Sequence, residues 1–483
     1  MPLSPDPSTA PLQAVVVGGG LAGLAAAEQL LADGFGQVVV VEPADRCGGV
    51  LGTARRDGWL VERSADCFLA ARPEGMELVD RLGLERDLVG VDPRVRRALV
   101  WHDGRAVPVP RGFRLLAPGR IDSILSSSLF SPAGRLRLLA ERTVPVRRDG
   151  EEESLEQFAV RRLGREAFER LVQPLAAGIW TADPARLGMA AACREFAEME
   201  QTHGSLWAGE RARLKNAAEE AGTGARYGQF VTFANGMQTL PDRLAEAVFG
   251  RGAIWLKGRA ERLARHGGRW RLTVTDREDR VEAVDADAIV LATPAPAAAV
   301  LLAGVDPRLA ADLAGIAYAG SVIVSLGFRR EAVTHPLDAA GLVVPRIAGR
   351  RVLAVSFSSS KFPDRAPPGC VLLRVFVGGA LDPEAVGLDD AAVASLAHRE
   401  VGDLLGISED PLLVQIDRWD AAMPQYHIGH AERVGRIETA VSQHSGLALA
   451  GAAYRGVGIP QVIGSGRHAA EAVLATVGAA RAQ

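Results

Sequence analysis

The feature that most constrains the fold is a glycine-rich turn between an apolar strand pattern, residues 14–17, and an apolar helix pattern, residues 21–32. The turn has the spacing G-x-G-x-x-G, in which the first glycine allows a tight turn and the second lets backbone approach a pyrophosphate; the third lets the helix pack closely on the strand. Exposed N–H groups at the start of the helix favour an anion. The pattern therefore predicts a dinucleotide-binding βαβ unit. Its turn residues are Gly18, Gly19, Gly20, Leu21, Ala22 and Gly23.

A carboxylate and an arginine follow the second predicted strand, residues 38–41. Glu42 ends that strand 19 residues after Gly23, where a carboxylate can bind ribose hydroxyls. Arg46 and Gly48–Gly49 then complete the spacing E-x-x-x-R-x-G-G-x-x-x-T. An arginine here neutralises phosphate, and paired glycines again admit a cofactor to the backbone. This extension resembles the flavin amine-oxidase superfamily, which implies FAD rather than NAD as the cofactor.

Along nearly the whole chain the sequence resembles the oxygen-dependent protoporphyrinogen/coproporphyrinogen oxidase family of that superfamily. The resemblance rests on segments that occur in family order, most of them weak alone. They are EESLEQFAVRRLG, PLAAGIWTADPARLGM, FVTFANGMQTLP, FSSSKFPDRAP, VFVGG, MPQYHIGH and AGAAYRGVGIPQVIGSG. The resemblance implies an α/β fold: an FAD-binding Rossmann-like domain with a mixed-sheet substrate domain and an inserted helical domain.

The domains are expected to be built from discontinuous segments, because the sequence contains no long low-complexity linker. The middle of the chain, from about residue 113, has apolar residues at helical spacing, whereas strand patterns return later. The expected segments are 1–85, 225–300 and 430–483 for the FAD-binding domain, 86–112 and 301–429 for the substrate-binding domain, and 113–224 for the helical domain.

The resemblance also implies contacts to the cofactor. Glu42 and Arg46 would meet adenosine and phosphate, with Gly49 admitting the cofactor to the backbone. The family has Glu-x-Gly-Pro beside the flavin, and this chain has Glu62, Arg63, Ser64 and Ala65 at those positions. Because Ser-Ala replaces Gly-Pro, the resemblance does not define the backbone conformation there. Ala260 would meet adenine through backbone atoms. The resemblance implies that Trp419, Val457, Gly458 and Ile459 lie at the flavin-facing end of the cofactor site. It also implies a final helix from about Ser465, whose N-terminus would face the flavin O2.

A porphyrinogen carries propionates on a large apolar macrocycle, so its site needs a cationic anchor and apolar walls. The resemblance implies Arg97 as the anchor, Val343 and Phe376 on the two sides of the ring, and Gly178 as a carbonyl that accepts a pyrrole N–H. Ordinary roles, as a surface arginine or as core strand residues, remain the alternative. The family chemistry is hydride transfer from a meso carbon to flavin N5, so no catalytic side chain is assigned.

These features lead to the hypothesis of an FAD-dependent oxidation of protoporphyrinogen IX to protoporphyrin IX, with oxygen as acceptor, in haem biosynthesis. Coproporphyrinogen III oxidation to coproporphyrin III is the close alternative, with four propionates rather than two. More distant alternatives are a flavin amine oxidase, a desaturase-like enzyme, or an inactive FAD-fold scaffold. The expected partners are the porphyrinogen and oxygen; a homodimer and contact with a haem-pathway ferrochelatase stay open.

Composition excludes other classes of protein. With 55 Lys and Arg against 58 Asp and Glu, the net charge is −3, so no basic face for nucleic acid is expected. The four cysteines form no C-x-x-C pair, and His427 and His430 lack a third ligand, so no metal site is expected.

No apolar run is long enough to span a membrane. The expected location is cytoplasmic, with peripheral contact to the inner membrane left open for FRLL and SILSSSLF.

Overall fold

The computed structural model describes residues 11–220 and 230–481, so the first residues of the expected segment 1–85 and the boundary between the expected segments 113–224 and 225–300 lie outside it. The strands of the described residues, β1–β20 in chain order, are Gln13–Val17, Gln37–Val41, Thr53–Arg56, Trp59–Glu62, Phe68–Leu69, Leu88–Gly90, Ala98–His102, Arg105–Pro108, Phe230–Phe233, Ile254–Leu256, Gly258–His266, Arg269–Asp276, Val281–Ala286, Ala288–Leu291, Tyr318–Arg329, Gly341–Val343, Val352–Phe357, Cys370–Gly378, Leu413–Pro424 and Leu447–Leu449. The helices, α1–α17 in chain order, are Leu21–Ala32, Pro73–Arg81, Ile121–Ser126, Pro132–Leu139, Leu155–Leu163, Arg165–Ala167, Gln173–Trp180, Met189–Ala192, Arg194–His203, Leu206–Glu220, Thr239–Gly250, Ala295–Leu302, Pro307–Ala314, Ser358–Lys361, Asp390–Leu405, His430–Val441 and Ile459–Arg481.

The glycine turn follows the central strand of a five-stranded parallel sheet with the order β10-β2-β1-β14-β20. Val17 of β1 pairs with Val41 of β2 on one side and with Leu291 of β14 on the other, so these strands end at one edge. Valine runs suit this sheet because parallel strands are buried on both faces. α1, α11 and α17 cover one face, and α12, α13, α16 and β12 pack on the other. The carboxyl edge of such a sheet is where α/β folds bind ligands.

A seven-stranded sheet with the order β19-β15-β18-β17-β16-β7-β8 forms the second unit. It is mixed, because β16 and β7 pair in parallel while the other neighbours pair antiparallel. α15 packs on one face, against alternate residues such as Leu373, Val375 and Val377 of β18. Since side chains alternate along a strand, Arg374 and Phe376 lie on the other face. That second face is turned towards the rest of the molecule.

The helices α3 to α10 lie between residues 121 and 220 and share one apolar core. α5 begins with a capping box in which Ser154 and Gln157 satisfy each other's backbone N–H groups. From its last turn the fully buried Arg162 donates to the carboxylate of Glu141 at 2.7 Å, which ties α5 to the turn after α4. No helix within the described residues combines the length and apolar character needed to cross a membrane.

The predicted α/β architecture is present, with a parallel sheet, a mixed sheet and a helical region. The expected start of the final helix, about Ser465, is wrong: α17 begins at Ile459. Pro460 suits the first turn of a helix because its missing N–H would have no intrahelical partner there. Gly466 lies inside α17, and only glycine fits at this position because a Cβ would be 2.1 Å from the carbonyl oxygen of Ala22 in α1. This glycine therefore allows α17 to pack closely on α1 and does not mark a turn.

Candidate active site

The glycine turn at the edge of the parallel sheet has no room for a side chain at Gly18 and Gly23. Gly18 has a φ of 106°, and a Cβ there would lie 2.6 Å from the carbonyl oxygen of Ala292. A Cβ on Gly23 would lie 1.8 Å from the carbonyl oxygen of Gly18. Gly20, by contrast, precedes α1 with open space beside it, since a Cβ would have Gly49 Cα at 3.9 Å as its nearest neighbour. No side chain caps α1, so its N-terminus can receive an anion.

Glu42 lies directly beside this turn. One carboxylate oxygen accepts the N–H of Gly19 at 2.8 Å and the other accepts the N–H of Ala44 at 2.9 Å. Leu21 and Ala22 are buried in the first turn of α1, so that turn can offer a ligand only its backbone. Glu42 therefore braces the glycine turn, and its contact with ribose stays a prediction.

The second glycine pair packs against the first turn. The N–H of Gly48 donates to the carbonyl of Gly19 at 2.8 Å. The guanidinium of Arg46 donates to the carbonyls of Leu51 at 2.8 Å and Gly49 at 3.0 Å. Arg46 thus holds the shape of this loop, a role that its sequence position did not reveal. Neutralisation of phosphate by Arg46 stays a prediction.

Two predicted contacts lie on strands that flank these loops. Ala260 is half-buried in β11, at a register shift between Ala260 and Arg262 that interrupts pairing with β12. Glu62 is buried at the end of β4, where its carboxylate accepts the Thr53 hydroxyl at 2.7 Å and the Met237 N–H at 2.9 Å. Burial raises the pKa of Glu62. Glu62 therefore joins three chain segments, and its contact with the flavin stays a prediction.

Arg63 and Trp419, both predicted at the flavin-facing end, lie in contact. The indole N–H of Trp419 donates to the carbonyl of Arg63 at 2.9 Å. Nε of Arg63 donates to the buried carboxylate of Asp417 at 2.6 Å. These bonds fix the start of the run Arg63–Ala65 against β19, so the structure brings together residues 356 positions apart.

A largely buried set of charges lies behind the next residues, Ser64 and Ala65. The carboxylate of Asp66 lies 2.7 Å from Nζ of Lys361 and 3.2 Å from Nη1 of Arg374, and Arg374 also donates to the carbonyl of Ser64. Burial works to raise the pKa of Asp66, but the two cations outweigh it and hold that pKa well below its usual value. We call Asp66, Lys361 and Arg374 the Asp66 cluster.

The loop from residue 452 to residue 459, which leads into α17 and which we call the last turn, connects two of the hydrophobic cores. Val457 packs against the core of the helical region, and Ile459 packs against the core between α1 and α17. Gly458 lies between them, and a Cβ there would meet Oε1 of Gln461 at 2.4 Å. The turn is thereby fixed at both ends beside the N-terminus of α17.

Tyr426 holds the preceding residues of this turn. Its hydroxyl donates to the carbonyl of Ala452 at 2.5 Å and accepts the N–H of Gly456 at 2.8 Å. The Tyr426 ring stacks on the imidazole of His430, with centroids 4.2 Å apart. Burial lowers the pKa of His430 to about 4, so this imidazole is neutral near pH 7. Tyr426 therefore closes the turn from residue 452 to residue 456 with one hydroxyl.

Three of the predicted substrate residues lie on adjoining elements, and one of them, Val343, also packs against the core of the helical region. Val343 of β16 and Phe376 of β18 are half-buried, and both pair with Ala354 of the strand between them. Gly178 of α7 is exposed, and no atom lies within 4 Å of where its Cβ would be. α7 runs along the ends of β16 and β18, because Gln173 at its start accepts the N–H of residue 346 and the carbonyl after its end accepts that of residue 380. We call the surface formed by Val343, Phe376 and Gly178 the platform.

Arg97, the predicted anchor, lies at the opposite end of these strands. Its carbonyl accepts the N–H of Ala340 at 2.8 Å, just before β16 begins. Its guanidinium donates to the carbonyl of Asp338 at 3.0 Å and forms an ion pair with the Asp338 carboxylate. Both side chains are about half exposed, at 48% each. Arg97 thus lies at the end of β16 away from Val343, with part of its charge already paired, and its contact with propionate stays a prediction.

Comparison with known proteins identifies the family. The model of a family described as flavin containing amine oxidoreductase matches residues 21–474. The chain belongs to that family. Coproporphyrinogen III oxidase of Bacillus subtilis is 30% identical over 94% of this chain and 96% of the relative. The enzyme of the same name from Propionibacterium freudenreichii is 33% identical over 98% and 92%. Chloroplastic protoporphyrinogen oxidase of Nicotiana tabacum is 30% identical over 94% and 84%.

Solved structures agree with this family assignment. A crystal structure from Exiguobacterium sp. 255-15, provisionally assigned to protoporphyrinogen oxidase, superposes with a TM-score of 0.82 at 26% identity, over 96% of this chain and 98% of its own. Reduced UDP-galactopyranose mutase shares the fold, with a TM-score of 0.71 at 16% identity over 96% and 94%. The predicted fold class is confirmed. As a flavin containing amine oxidoreductase, the protein is an FAD-dependent oxidoreductase, which confirms the predicted cofactor.

The residues present fit FAD. Buried side-chain atoms without a hydrogen-bond partner among the described residues include Thr293 Oγ1, Ser64 Oγ and Gln461 Oε1. Thr293 lies beside Gly18, just after β14. Ser64 belongs to the run Arg63–Ala65, and the side chain of Gln461 lies against Gly456 and Gly458 of the last turn. Buried polar atoms are almost always paired in proteins, and FAD carries polar atoms along its whole length. These atoms and the open space before α1 are therefore features that a bound FAD can satisfy.

Sequence reasoning missed Thr293, Tyr426 and the Asp66 cluster. Thr293 lies in the segment DAIVLATP, whose apolar run is typical of a buried parallel strand, and its position at the carboxyl end of that run was the available signal. Tyr426 and Lys361 lie within the segments MPQYHIGH and FSSSKFPDRAP, which carry the family resemblance. Their partners lie far away in sequence, so the pattern alone could not state what they contact.

Replacing Tyr426 with phenylalanine should weaken FAD binding about tenfold, because the Gly456 N–H loses its partner and the last turn loosens. Titration of the apoprotein with FAD, followed by flavin fluorescence, measures this. The matched control is Tyr454→Phe, which removes a buried hydroxyl without a partner from the same turn and should leave FAD affinity unchanged. Equal FAD affinities for the two variants would contradict the role given to Tyr426.

Proposed function

We propose that this flavoprotein oxidises a porphyrinogen to the corresponding porphyrin, with oxygen as the final acceptor. The observation that carries the proposal is the platform, where the half-buried Val343 and Phe376 and the exposed Gly178 lie on adjoining elements, with Arg97 at the other end of β16. Such a surface suits an apolar macrocycle with carboxylates, whereas a cationic amine would meet a like charge. The names of the bacterial and chloroplast relatives support the same substrate class.

The residues divide the work into holding the cofactor and positioning the substrate. Bound FAD supplies a two-electron acceptor for hydride and returns the electrons to oxygen. The glycine turn and the N-terminus of α1 hold its pyrophosphate, and the run from Glu62 to Ala65 borders its flavin. Val343 and Phe376 exclude water from the macrocycle. The Gly178 carbonyl, in the last turn of α7, orients a pyrrole N–H. No side chain is assigned as a general base.

Coproporphyrinogen III is the first substrate to test, although the sequence alone put protoporphyrinogen IX first. Bacterial coproporphyrinogen III oxidases match over 96% and 92% of their own length. The chloroplastic protoporphyrinogen oxidases of tobacco and Arabidopsis match over 84% and 85% of theirs. The match to the bacterial enzymes runs nearly end to end and reaches 33% identity, so coproporphyrinogen III is tested first and protoporphyrinogen IX second.

Anaerobic addition of coproporphyrinogen III should bleach the absorbance of the bound flavin within one turnover, and oxygen should restore it. Porphyrin formation removes six electrons, so oxygen consumption should reach roughly three molecules per porphyrin. Stopped-flow absorbance and an oxygen electrode measure the two quantities, with protoporphyrinogen IX compared in parallel. Bleaching by a primary amine but by neither porphyrinogen would reject the proposal, and so would a flavin that no candidate reduces.

Finer statements about location and partners remain predictions. Contact with the cytoplasmic face of the inner membrane is supported by exposed Ile121 and Leu125 on one face of α3 and by exposed Leu136 on α4. Leu129 and Phe130 of the same predicted segment are buried in the helical core, so they do not contribute to such a surface. A homodimer and contact with ferrochelatase stay predictions.

A further inference from the structure

Arg346 is an exposed arginine at the end of the platform furthest from Arg97. Its backbone N–H donates to Oε1 of buried Gln173 at 2.9 Å, which anchors the turn after β16 to the start of α7. Within the part of the chain that the structure describes, its guanidinium has no hydrogen bond or ion pair. Its positive charge is therefore available to a ligand.

The position of Arg346 is set by the elements that border the platform. It comes three residues after Val343, and Gly178 lies five residues along α7 from Gln173, about 7.5 Å of helix rise. Ala348, in the same single turn, packs against the core beneath α15. Residues of a tight turn point in different directions, so Arg346 is directed away from that core. The guanidinium thus lies within side-chain reach of the platform.

Arg97 and Arg346 lie beside opposite ends of β16. Arg97 precedes the neighbouring strand β7, and its carbonyl accepts the N–H of Ala340 just before β16, whereas Arg346 follows the end of β16. Arg346 lies six positions after Ala340, about 20 Å of extended chain. Val343 lies between them. A flat ligand on the platform would therefore meet one cation at each end.

We propose that Arg346 binds a second carboxylate of the substrate and selects a porphyrinogen with carboxylates at both ends. This inference rests on the proposed function. Coproporphyrinogen III carries a propionate on each of its four pyrrole rings, so it can offer carboxylates to both arginines at once. Protoporphyrinogen IX carries propionates on two neighbouring rings and presents vinyl groups at the other end. Arginine suits this contact because its guanidinium binds a carboxylate through two parallel hydrogen bonds.

The test compares Arg346→Ala with Arg399→Ala in the FAD-loaded protein. Arg399 is an exposed arginine of α15, across the sheet from the platform, and it too has no partner among the described residues. Arg346→Ala should lower kcat/KM for coproporphyrinogen III about tenfold, through KM, and change that for protoporphyrinogen IX less than about twofold. Arg399→Ala should change neither. Fluorescence titration with coproporphyrin III should show the same tenfold loss of affinity without turnover.

Two results would overturn the proposal: Arg346→Ala matching Arg399→Ala with both substrates, or an equal loss with both porphyrinogens. FAD content and melting temperature confirm that each variant is folded and loaded. Failure of the proposed function has a different signature, since the wild-type protein would then oxidise neither porphyrinogen. The coproporphyrin III titration still decides the role of Arg346 in that case, because it needs no turnover.

Discussion

The Gly20→Ala variant should fold as stably as the wild-type protein yet bind FAD about 100-fold more weakly. Gly20 has ordinary extended backbone angles, φ −70° and ψ 178°, that alanine adopts without strain. The nearest neighbour of the added methyl group is Gly49 Cα at 3.9 Å, an ordinary contact, so the apoprotein can accommodate it. The methyl would occupy the space before α1 that a pyrophosphate must enter, and this is the reason for the large loss.

The experiment pairs binding with stability. FAD affinity is measured by titration of the apoprotein and stability by its thermal unfolding. Gly304→Ala is the matched control, because Gly304 is exposed, lies away from the turn and has no atom within 4 Å of its Cβ position. Gly23→Ala should lose both stability and FAD, since its methyl would lie 1.8 Å from the Gly18 carbonyl oxygen. Wild-type FAD affinity in Gly20→Ala would show that the cofactor does not approach this glycine.

The βαβ unit around this turn was predictable because each of its signals is local. The run from Ala14 to Val17, the glycine spacing and Glu42 all lie within thirty residues, and each implies the same geometry. Individual strands of the second sheet have local patterns of the same kind, but its mixed character was implied only by the family resemblance, because it depends on the pairing of Ala98 with Gly341, 243 residues apart. The start of α17 was not predictable in this way, because Gly466 has the propensity of a turn residue and is required by the close packing of α1.

The candidate site was predictable where backbone geometry defines it, and less so where distant side chains meet. The partners of Arg97 and Asp66 lie 241 and 295 residues away, at Asp338 and Lys361. No local sequence pattern predicts a contact over such a distance. The sequence could therefore suggest a role for Arg97 but could not show that its guanidinium forms an ion pair with Asp338. Arg346 was missed because nothing in its local sequence distinguishes it from the other arginines of the chain, and only the structure shows that its guanidinium has no partner among the described residues.

The second large effect concerns the Asp66 cluster: Asp66→Asn should lower the free energy of unfolding by about 3–5 kcal/mol. Asp66 is the carboxylate between two cations that have little access to water, with side chains 11% exposed for Lys361 and 1% for Arg374. Without it, two buried positive charges face each other unpaired. Chemical denaturation in urea, followed by tryptophan fluorescence, measures the loss.

The pH dependence of this loss has a defined sign. Because the pKa of Asp66 is held below its ordinary value in the folded protein, its ionisation stabilises the fold at neutral pH. That contribution is complete well above the ordinary pKa of an aspartate, about 3.9, and decreases as the pH falls through and below it. The difference in stability between wild type and Asp66→Asn should therefore be constant from about pH 6 to pH 8 and narrow below about pH 4.

A surface aspartate provides the matched control for charge removal. Asp57 is 81% exposed and pairs with Arg56, and its φ of 48° is one that asparagine tolerates, so Asp57→Asn should cost less than about 0.5 kcal/mol. If burial of unpaired cations causes the loss, then adding Lys361→Met to Asp66→Asn should recover part of it, because one of the two charges is removed. A double variant as unstable as Asp66→Asn alone, or Asp66→Asn as stable as Asp57→Asn, would contradict this account of how the Asp66 cluster is stabilised.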